Sequence, residues 1–170
     1  MNLLITICAR GGSKGIPGKN LSRVAGLPLL SYSTVVARSF GEKYNADYGF
    51  STDSADIREL ADHLGFRTDY LRPEYLATDS AGKIDTIRDL IRYEEEKKSK
   101  KYDFILDLDV TSPLRTVEDL NRAFDILRLN KEALNLFSVN KANRNPYFNQ
   151  VEMKENGFYD LIKRTDTAVL

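Results

Sequence analysis

The sequence contains a single cysteine, no excess of charge of either sign and no long apolar run. One cysteine, Cys8, excludes an internal disulfide and a metal site built from cysteines. The 25 basic and 25 acidic side chains cancel, so a general basic surface for nucleic acid is not expected and any anion site must be local. The apolar stretches are too short for a membrane span or a targeting segment. We therefore expect a cytoplasmic protein with no membrane or nucleic-acid partner.

The 170 residues show alternating strand-like and helix-like apolar periods, which indicates one α/β domain. The predicted strands are 3–8, 47–53, 66–72, 103–110 and 135–139, and the predicted helices are 27–40, 57–64, 84–91 and 116–127. Pro28 suits the first turn of the first helix, Gly41 its end, and Thr116 the cap of the last helix. Asn156-Gly157 predicts a hairpin. Repeated strand–helix units favour a three-layer α/β/α fold with a mostly parallel, Rossmann-like sheet.

Three loops at the ends of predicted strands are rich in polar residues. The first follows Cys8, the second is Ser51–Asp53 and the third is Asp109–Arg115. We expect Cys8 itself to be a small core residue rather than a nucleophile. Ligands of parallel α/β sheets bind beyond the carboxyl ends of the strands. The sequence therefore predicts one site formed by these three loops.

The first of these loops, ARGGSKGIPGKN at residues 9–20, has the composition of a phosphate site. It matches neither the P-loop, since Ser13 and Asn20 stand where that motif needs glycine and Ser or Thr, nor the dinucleotide fingerprint. Its glycines nevertheless allow backbone amides to face an anion, and its three cations add charge-assisted contacts. The alternative is an irregular surface loop with solvated cations.

Two acids, Asp107 and Asp109, lie on the same side of the predicted strand 103–110. Carboxylates in a central parallel strand are costly unless they are paired or bind a metal. Mg²⁺ suits this position, because it takes one or two carboxylates and completes its octahedron with water and phosphate oxygens. The alternative is that both acids accept hydrogen bonds from neighbouring backbone amides.

Four ordered motifs resemble the acylneuraminate cytidylyltransferase (CMP-sialic acid synthetase) family. Residues 9–20 match its pattern Ala-Arg-x-x-Ser-Lys-Gly-x-x-x-Lys-Asn, and STD at 51–53, LRPEYLATDSA at 71–81 and TSPLRT at 111–116 follow in the family's order. Sialic acid enzymes usually carry Gln-Pro where this chain has Asp109-Val110. The combination of ICARGGSKG, LDLDVTSPLR and NPYFNQVE most resembles the CMP-legionaminic acid synthase branch.

The resemblance implies a fold of the nucleotide-diphospho-sugar transferase type and a role for each matching residue. The implied nucleotide-binding residues are Ala9, Arg10, Gly11, Gly12, Ser13, Lys14, Lys19, Asn20, Arg72 and Ala81. The implied substrate residues are Asp109, Thr111, Ser112 and Arg115, although Arg115 could equally brace the following turn. Arg10, Lys19 and Asp109 would be catalytic, and Asp109 would bind Mg²⁺.

The reaction implied by the resemblance joins CTP and a nonulosonic acid to give a CMP-sugar and pyrophosphate, in a homodimer. We expect residues 1–170 to form a single nucleotidyltransferase domain without the family's C-terminal portion, with residues 141–170 beginning the dimerisation and hairpin region. The alternatives are another nucleotidyltransferase, such as a Kdo cytidylyltransferase or a sugar-1-phosphate uridylyltransferase, and a non-catalytic nucleotide-binding module.

Overall fold

The computed structural model describes residues 1–141 and 150–162. In chain order the strands are β1 (Leu3–Cys8), β2 (Arg23–Val24), β3 (Leu27–Pro28), β4 (Asp47–Ser51), β5 (Phe104–Asp107), β6 (Val151–Met153) and β7 (Tyr159–Leu161). The helices are α1 (Leu29–Tyr44), α2 (Ala55–His63), α3 (Lys83–Lys98) and α4 (Val117–Leu129), with a short 3₁₀ turn at Glu74–Leu76. No helix among the described residues has the length and apolar character that a membrane span requires.

Strand β1 is the centre of a three-stranded parallel sheet with the order β4-β1-β5. Ile5 pairs with Tyr48 on one side and with Leu106 on the other. Residues Leu3 to Ile7 are all buried, which explains why this stretch is apolar without alternation. The parallel sheet confirms the predicted architecture and brings the carboxyl ends of the three strands to one edge.

Helices cover both faces of this sheet. On one face α1 and α4 pack together, with Phe124 in edge contact with Phe40 at 5.7 Å and with Tyr44 at 4.9 Å between ring centroids. On the other face α3 packs against β1 and β4. There Leu90 comes so close to Gly49 that a Cβ on this glycine would lie 3.3 Å from the leucine side chain. The result is the expected arrangement of helix, sheet and helix layers.

Helix α1 extends beyond its predicted end at Gly41 and stops at Asn45, which has left-handed backbone geometry with φ of 48°. Gly41 lies inside the helix because the Tyr48 ring occupies the space of a Cβ, which would lie 2.8 Å from Tyr48 Cζ. The glycine therefore serves helix–sheet packing and not termination. The prediction of a cap at Gly41 was wrong.

Two predicted strands are absent from the described residues. The segment 66–72 is irregular, held by the buried side chains of Phe66 and Tyr70, and Tyr70 Oη donates a hydrogen bond to Asp89 at 2.6 Å. The segment 135–139 is exposed, with 56% of Phe137 accessible. A short apolar run does not distinguish a strand from anchoring residues in a loop. Only neighbouring strands decide this, and neither segment has one in the described structure.

The predicted cap at Thr116 and the predicted hairpin are confirmed. Thr116 forms a reciprocal capping box with Asp119 at the start of α4. Strands β6 and β7 pair in antiparallel fashion around Asn156-Gly157, and Gly157 has φ of 80°. Residues 142–149 and 163–170 of the predicted dimerisation region lie outside the described residues.

Candidate nucleotide site

A cleft of about 690 Å³ opens beyond the carboxyl ends of β1 and β5. Two of the three loops predicted to form a site line it, and the third, Ser51–Asp53, does not. The cleft is lined by most of the residues that the motifs selected. These are Arg10, Ser13, Lys14, Lys19, Asn20, Arg72, Ala81, Asp109 and Thr111. Ala9, Gly11, Gly12, Ser112 and Arg115 do not line it.

The residues next to the cleft hold the glycine loop in place. Ala9 is buried, and its amide donates to the Ser51 carbonyl at 2.9 Å. The Gly11 amide donates to Asp53 Oδ1 at 2.8 Å, so this amide is directed to an aspartate and not into the cleft. The buried Asn20 side chain donates to the Arg10 carbonyl at 2.9 Å. These contacts tie both ends of the loop to the edge of the sheet.

Two of the three loop cations are paired with an acid that the sequence reasoning did not single out. Asp79 accepts a hydrogen bond from Arg10 Nη2 at 2.7 Å and lies 2.5 Å from Lys14 Nζ. Arg10 Nη1 also donates to the Thr78 carbonyl at 2.9 Å. The Lys14 and Arg10 hydrogen bonds hold the pKa of Asp79 below its usual value. Asp79 thus pairs with both cations in the described structure.

Lys19 differs from the other two cations. It is half-buried and lines the cleft, and within residues 1–141 and 150–162 its ammonium has no hydrogen bond or ion pair. The turn that presents it contains Gly18, whose φ of 64° favours glycine. Lys19 is therefore the loop cation that an anion could reach without displacing a protein carboxylate.

Arg72 reaches the cleft from the other side and is fixed at the end of β4. Its Nε donates to Ser51 Oγ and its Nη2 to the Ser51 carbonyl, both at 2.8 Å. This two-pronged attachment holds the guanidinium plane in one orientation. The family resemblance was the only basis for selecting Arg72, and the structure gives it a defined position in the cleft wall.

The two acids at the end of β5 share a cation. Lys83 Nζ lies 2.6 Å from Asp107 Oδ2 and 2.8 Å from Asp109 Oδ2. Thr6 Oγ1 donates to the other Asp107 oxygen at 3.0 Å. The amide and hydroxyl of Thr111 donate to the other Asp109 oxygen at 2.8 and 2.7 Å. The acids are thus paired within the described structure, mainly by a lysine.

These contacts change the ionisation of the cluster. Burial alone would raise the pKa of Asp109, but the hydrogen bonds from Lys83 and Thr111 outweigh it and lower the pKa to about 2. Burial alone would lower the pKa of Lys83, and the two aspartates reverse this and raise it. Both groups are therefore charged at neutral pH.

Lys83 is a functional candidate that the sequence reasoning missed, although one signal was available. It is the first residue of α3, and a cation is disfavoured at the N-terminus of a helix because the helix dipole is positive there. A lysine at this position needs an acid close by, and the two aspartates supply it.

Arg115 stands behind the cleft and braces its wall. Its Nη2 donates to the Asp109 carbonyl at 2.6 Å, and Ser33 Oγ donates to the same oxygen at 3.4 Å. Arg115 Nη1 is buried and has no hydrogen-bond partner in the described part of the chain. Of the two roles considered for Arg115, this geometry favours bracing of the turn that carries Asp109.

Cys8 lines the cleft at the end of β1 but is not disposed to react. Burial, with a further contribution from Asp107, raises the pKa of its thiol to about 12. A thiol with this pKa stays protonated at neutral pH and is a poor nucleophile. This agrees with the prediction that Cys8 is not a nucleophile, whereas its predicted place in the core is wrong, because Cys8 is only partly buried and lines the cleft.

Residues 4–159 match the model of a family described as cytidylyltransferase. The chain is 37% identical over 153 residues to post-translational flagellin modification protein B of Campylobacter coli, covering 90% of this chain and 64% of that protein. It is 36% identical over 154 residues to a CMP-N,N'-diacetyllegionaminic acid synthase of Campylobacter jejuni, covering 91% and 64%. The chain thus spans 64% of the length of each of these relatives.

A solved structure described as CMP:2-keto-3-deoxy-manno-octonic acid synthetase complexed with CTP has a related fold. Its TM-score is 0.60 at 18% identity, over 75% of this chain and 48% of that chain. At this identity the likeness shows the fold alone, and it supports the Rossmann-like assignment.

Proposed function

Because the chain belongs to the cytidylyltransferase family, we propose that it forms the nucleotide-binding part of an enzyme that transfers CMP from CTP to a nonulosonic acid. The anomeric hydroxyl oxygen of the sugar acid attacks the α-phosphorus and releases its proton to solvent. The bond from that phosphorus to the oxygen that bridges it to the β-phosphate breaks, and pyrophosphate leaves. The observation that carries this proposal is the cleft itself. It sets the cations of the glycine loop and the carboxylate of Asp109 around one space of nucleotide size.

The loop cations are suited to the triphosphate. Lys19 meets it directly, while Arg10 and Lys14 exchange the Asp79 carboxylate for phosphate oxygens of the same charge sign. Arg72, fixed on Ser51, lies in the wall for the nucleoside. Catalysis of this kind depends on positioning and on neutralising charge as it moves to the leaving pyrophosphate.

The acid pair fits a magnesium ion. Asp107 and Asp109 each direct one oxygen to the same point, now taken by Lys83 Nζ, and Mg²⁺ prefers carboxylate oxygens with water and phosphate as further ligands. Within residues 1–141 and 150–162 no group of three or more His, Cys, Asp or Glu side chains could hold a metal. The nucleotide and water would complete the shell, and the bound ion would neutralise phosphate charge.

The favoured sugar is of the legionaminic type. Asp109-Val110 departs from the Gln-Pro of sialic acid enzymes, and a relative at 36% identity is named for legionaminic acid. The alternatives are N-acetylneuraminate and Kdo, and for Kdo the support is a likeness of fold.

We further propose a homodimer that works in the cytoplasm, where CTP is available. The support for a dimer is the apolar surface before the hairpin, where Leu134 is 96% and Phe137 56% exposed.

The test is pyrophosphate release by the full-length protein with CTP, Mg²⁺ and a panel of legionaminic acid, N-acetylneuraminate and Kdo, with the CMP-sugar identified by mass. We expect turnover with legionaminic acid and its loss in EDTA. Heat on CTP binding without pyrophosphate from any acid would instead indicate a non-catalytic binding module. Turnover with Kdo and with neither of the other two acids would instead indicate a Kdo cytidylyltransferase.

A further inference from the structure

Lys83 occupies an unusual position for a surface lysine. Its side chain is half-buried at the first residue of α3 and lines the cleft, and its ammonium touches two carboxylates at once. Both acids belong to the end of β5, so a residue more than 20 positions earlier in the chain neutralises them. Only the folding of the chain brings Lys83 and the two acids into contact.

In each acid, one oxygen accepts hydrogen bonds from a threonine and the other faces Lys83. Thr6 holds Asp107 Oδ1, and Thr111 holds Asp109 Oδ1 through its amide and hydroxyl. Both Oδ2 atoms then converge on the Lys83 ammonium. Two converging carboxylate oxygens form the protein share of a hard-cation site, and the lysine already stands in it.

We propose that Lys83 is an internal counter-ion that competes with the divalent cation for Asp107 and Asp109 and is displaced when the cation binds. Its flexible stem then moves the ammonium into the cleft, towards the phosphates that arrive with the metal. Before the metal binds, Lys83 prevents two unscreened carboxylates from repelling an anionic nucleotide. This inference rests on the proposed function, because that function supplies the metal and the nucleotide.

The inference is tested by metal binding without nucleotide. Mn²⁺ replaces Mg²⁺, because both prefer oxygen ligands, and free Mn²⁺ is measured by EPR as the protein is titrated. The variants are Lys83→Met, which removes the competing cation, and Lys83→Arg, which keeps it. Lys97→Met is the matched control, because Lys97 lies on the same helix, pairs with the exposed Asp69 at 2.9 Å and does not line the cleft.

We expect Lys83→Met to bind Mn²⁺ about tenfold more tightly than the wild type, because two competing ion pairs are removed. Lys83→Arg and Lys97→Met should bind Mn²⁺ like the wild type, and therefore more weakly than Lys83→Met. Adding Asp109→Asn to Lys83→Met should abolish the gain. If Lys83→Met does not fold, as judged by circular dichroism, Lys83→Gln replaces it with the same expected result.

Equal Mn²⁺ affinity in the wild type and Lys83→Met would overturn the inference, as would a gain that survives Asp109→Asn or that Lys97→Met reproduces. These outcomes are independent of the pyrophosphate assay. An enzyme that releases pyrophosphate without the affinity gain keeps the proposed function and loses the inference. A gain in Mn²⁺ affinity in a protein that releases no pyrophosphate would support the inference and contradict the proposed function.

Discussion

Asp109→Asn measures what the ion pair at the end of β5 contributes to folding. In the native protein Asp109 Oδ2 lies 2.8 Å from Lys83 Nζ, while its other oxygen accepts two hydrogen bonds from Thr111. Asparagine keeps an oxygen for Thr111 but loses the charge that faces Lys83. Lys83 retains Asp107 at 2.6 Å, so no cation is left without a partner.

The magnitude follows from the pKa. A fall from 3.8 to about 2 corresponds to an upper limit of about 2.5 kcal/mol at about 1.4 kcal/mol per pH unit. Because 44% of the Asp109 side chain is exposed, solvent screening reduces this, and we expect a loss of about 1 kcal/mol. The folded-state pKa lies below the unfolded one, so the stabilisation is fully present above pH 3.8 and is lost as the pH falls through about 2.

The assay is urea unfolding at neutral pH, followed by circular dichroism. With a slope of about 2 kcal/mol per molar urea, the midpoint should fall by about 0.5 M. The difference should shrink when the titration is repeated below pH 4. Asp69→Asn, which breaks the exposed pair with Lys97, should leave the midpoint unchanged. An unaltered midpoint for Asp109→Asn would refute the reasoning, and an equal shift in Asp69→Asn would assign the effect to net charge.

Three further predictions concern the cleft and its supports. Lys19→Ala should lower the turnover of the full-length enzyme by about 10²-fold with an unchanged urea midpoint, whereas Lys97→Ala should keep the wild-type rate; a fully active Lys19→Ala would remove the role assigned to this lysine. Thr116→Ala should cost about 1 kcal/mol in urea unfolding, because Thr116 caps α4 through Asp119 at 3.1 Å; Thr116→Ser should restore it, and failure to do so would point to packing instead. Cys8, with its pKa raised from 9.0 to about 12, should react with iodoacetamide at pH 8 about a thousandfold more slowly in the folded protein than in urea; labelling of the folded protein at the rate found in urea would contradict the raised pKa.

Elements with a strong local signal were predictable from the sequence. Strand β1 could be recognised without its partners, because a strand buried on both faces is apolar without alternation, and only Thr6 interrupts its apolar residues. The start of α4 was equally clear, since Thr116 and Asp119 satisfy each other's backbone amides within one turn. The segment 66–72 has no such signal, and it became a loop because Phe66 and Tyr70 are anchors and not members of a strand.

The sequence likewise predicted only those site residues that carry a local signal. The glycine loop and Asp109 could be selected by composition and by their positions after strands, and the structure places most of them around one cleft. Asp79 and Lys83 were missed, because a charged residue in a loop or in the first turn of a helix is usually solvated. Their roles depend on partners that are distant in sequence.

By itself, the sequence determined the α/β class with its parallel sheet, the strand β1, the cap of α4 and the hairpin at Asn156-Gly157, because each is expressed in neighbouring residues. Only the tertiary structure decided which charges meet. It set Asp79 against Arg10 and Lys14, and it placed Lys83 between Asp107 and Asp109. The physical reason is that ion pairing depends on distance in space, which the parallel sheet and the packing of α3 fix and which no local pattern records.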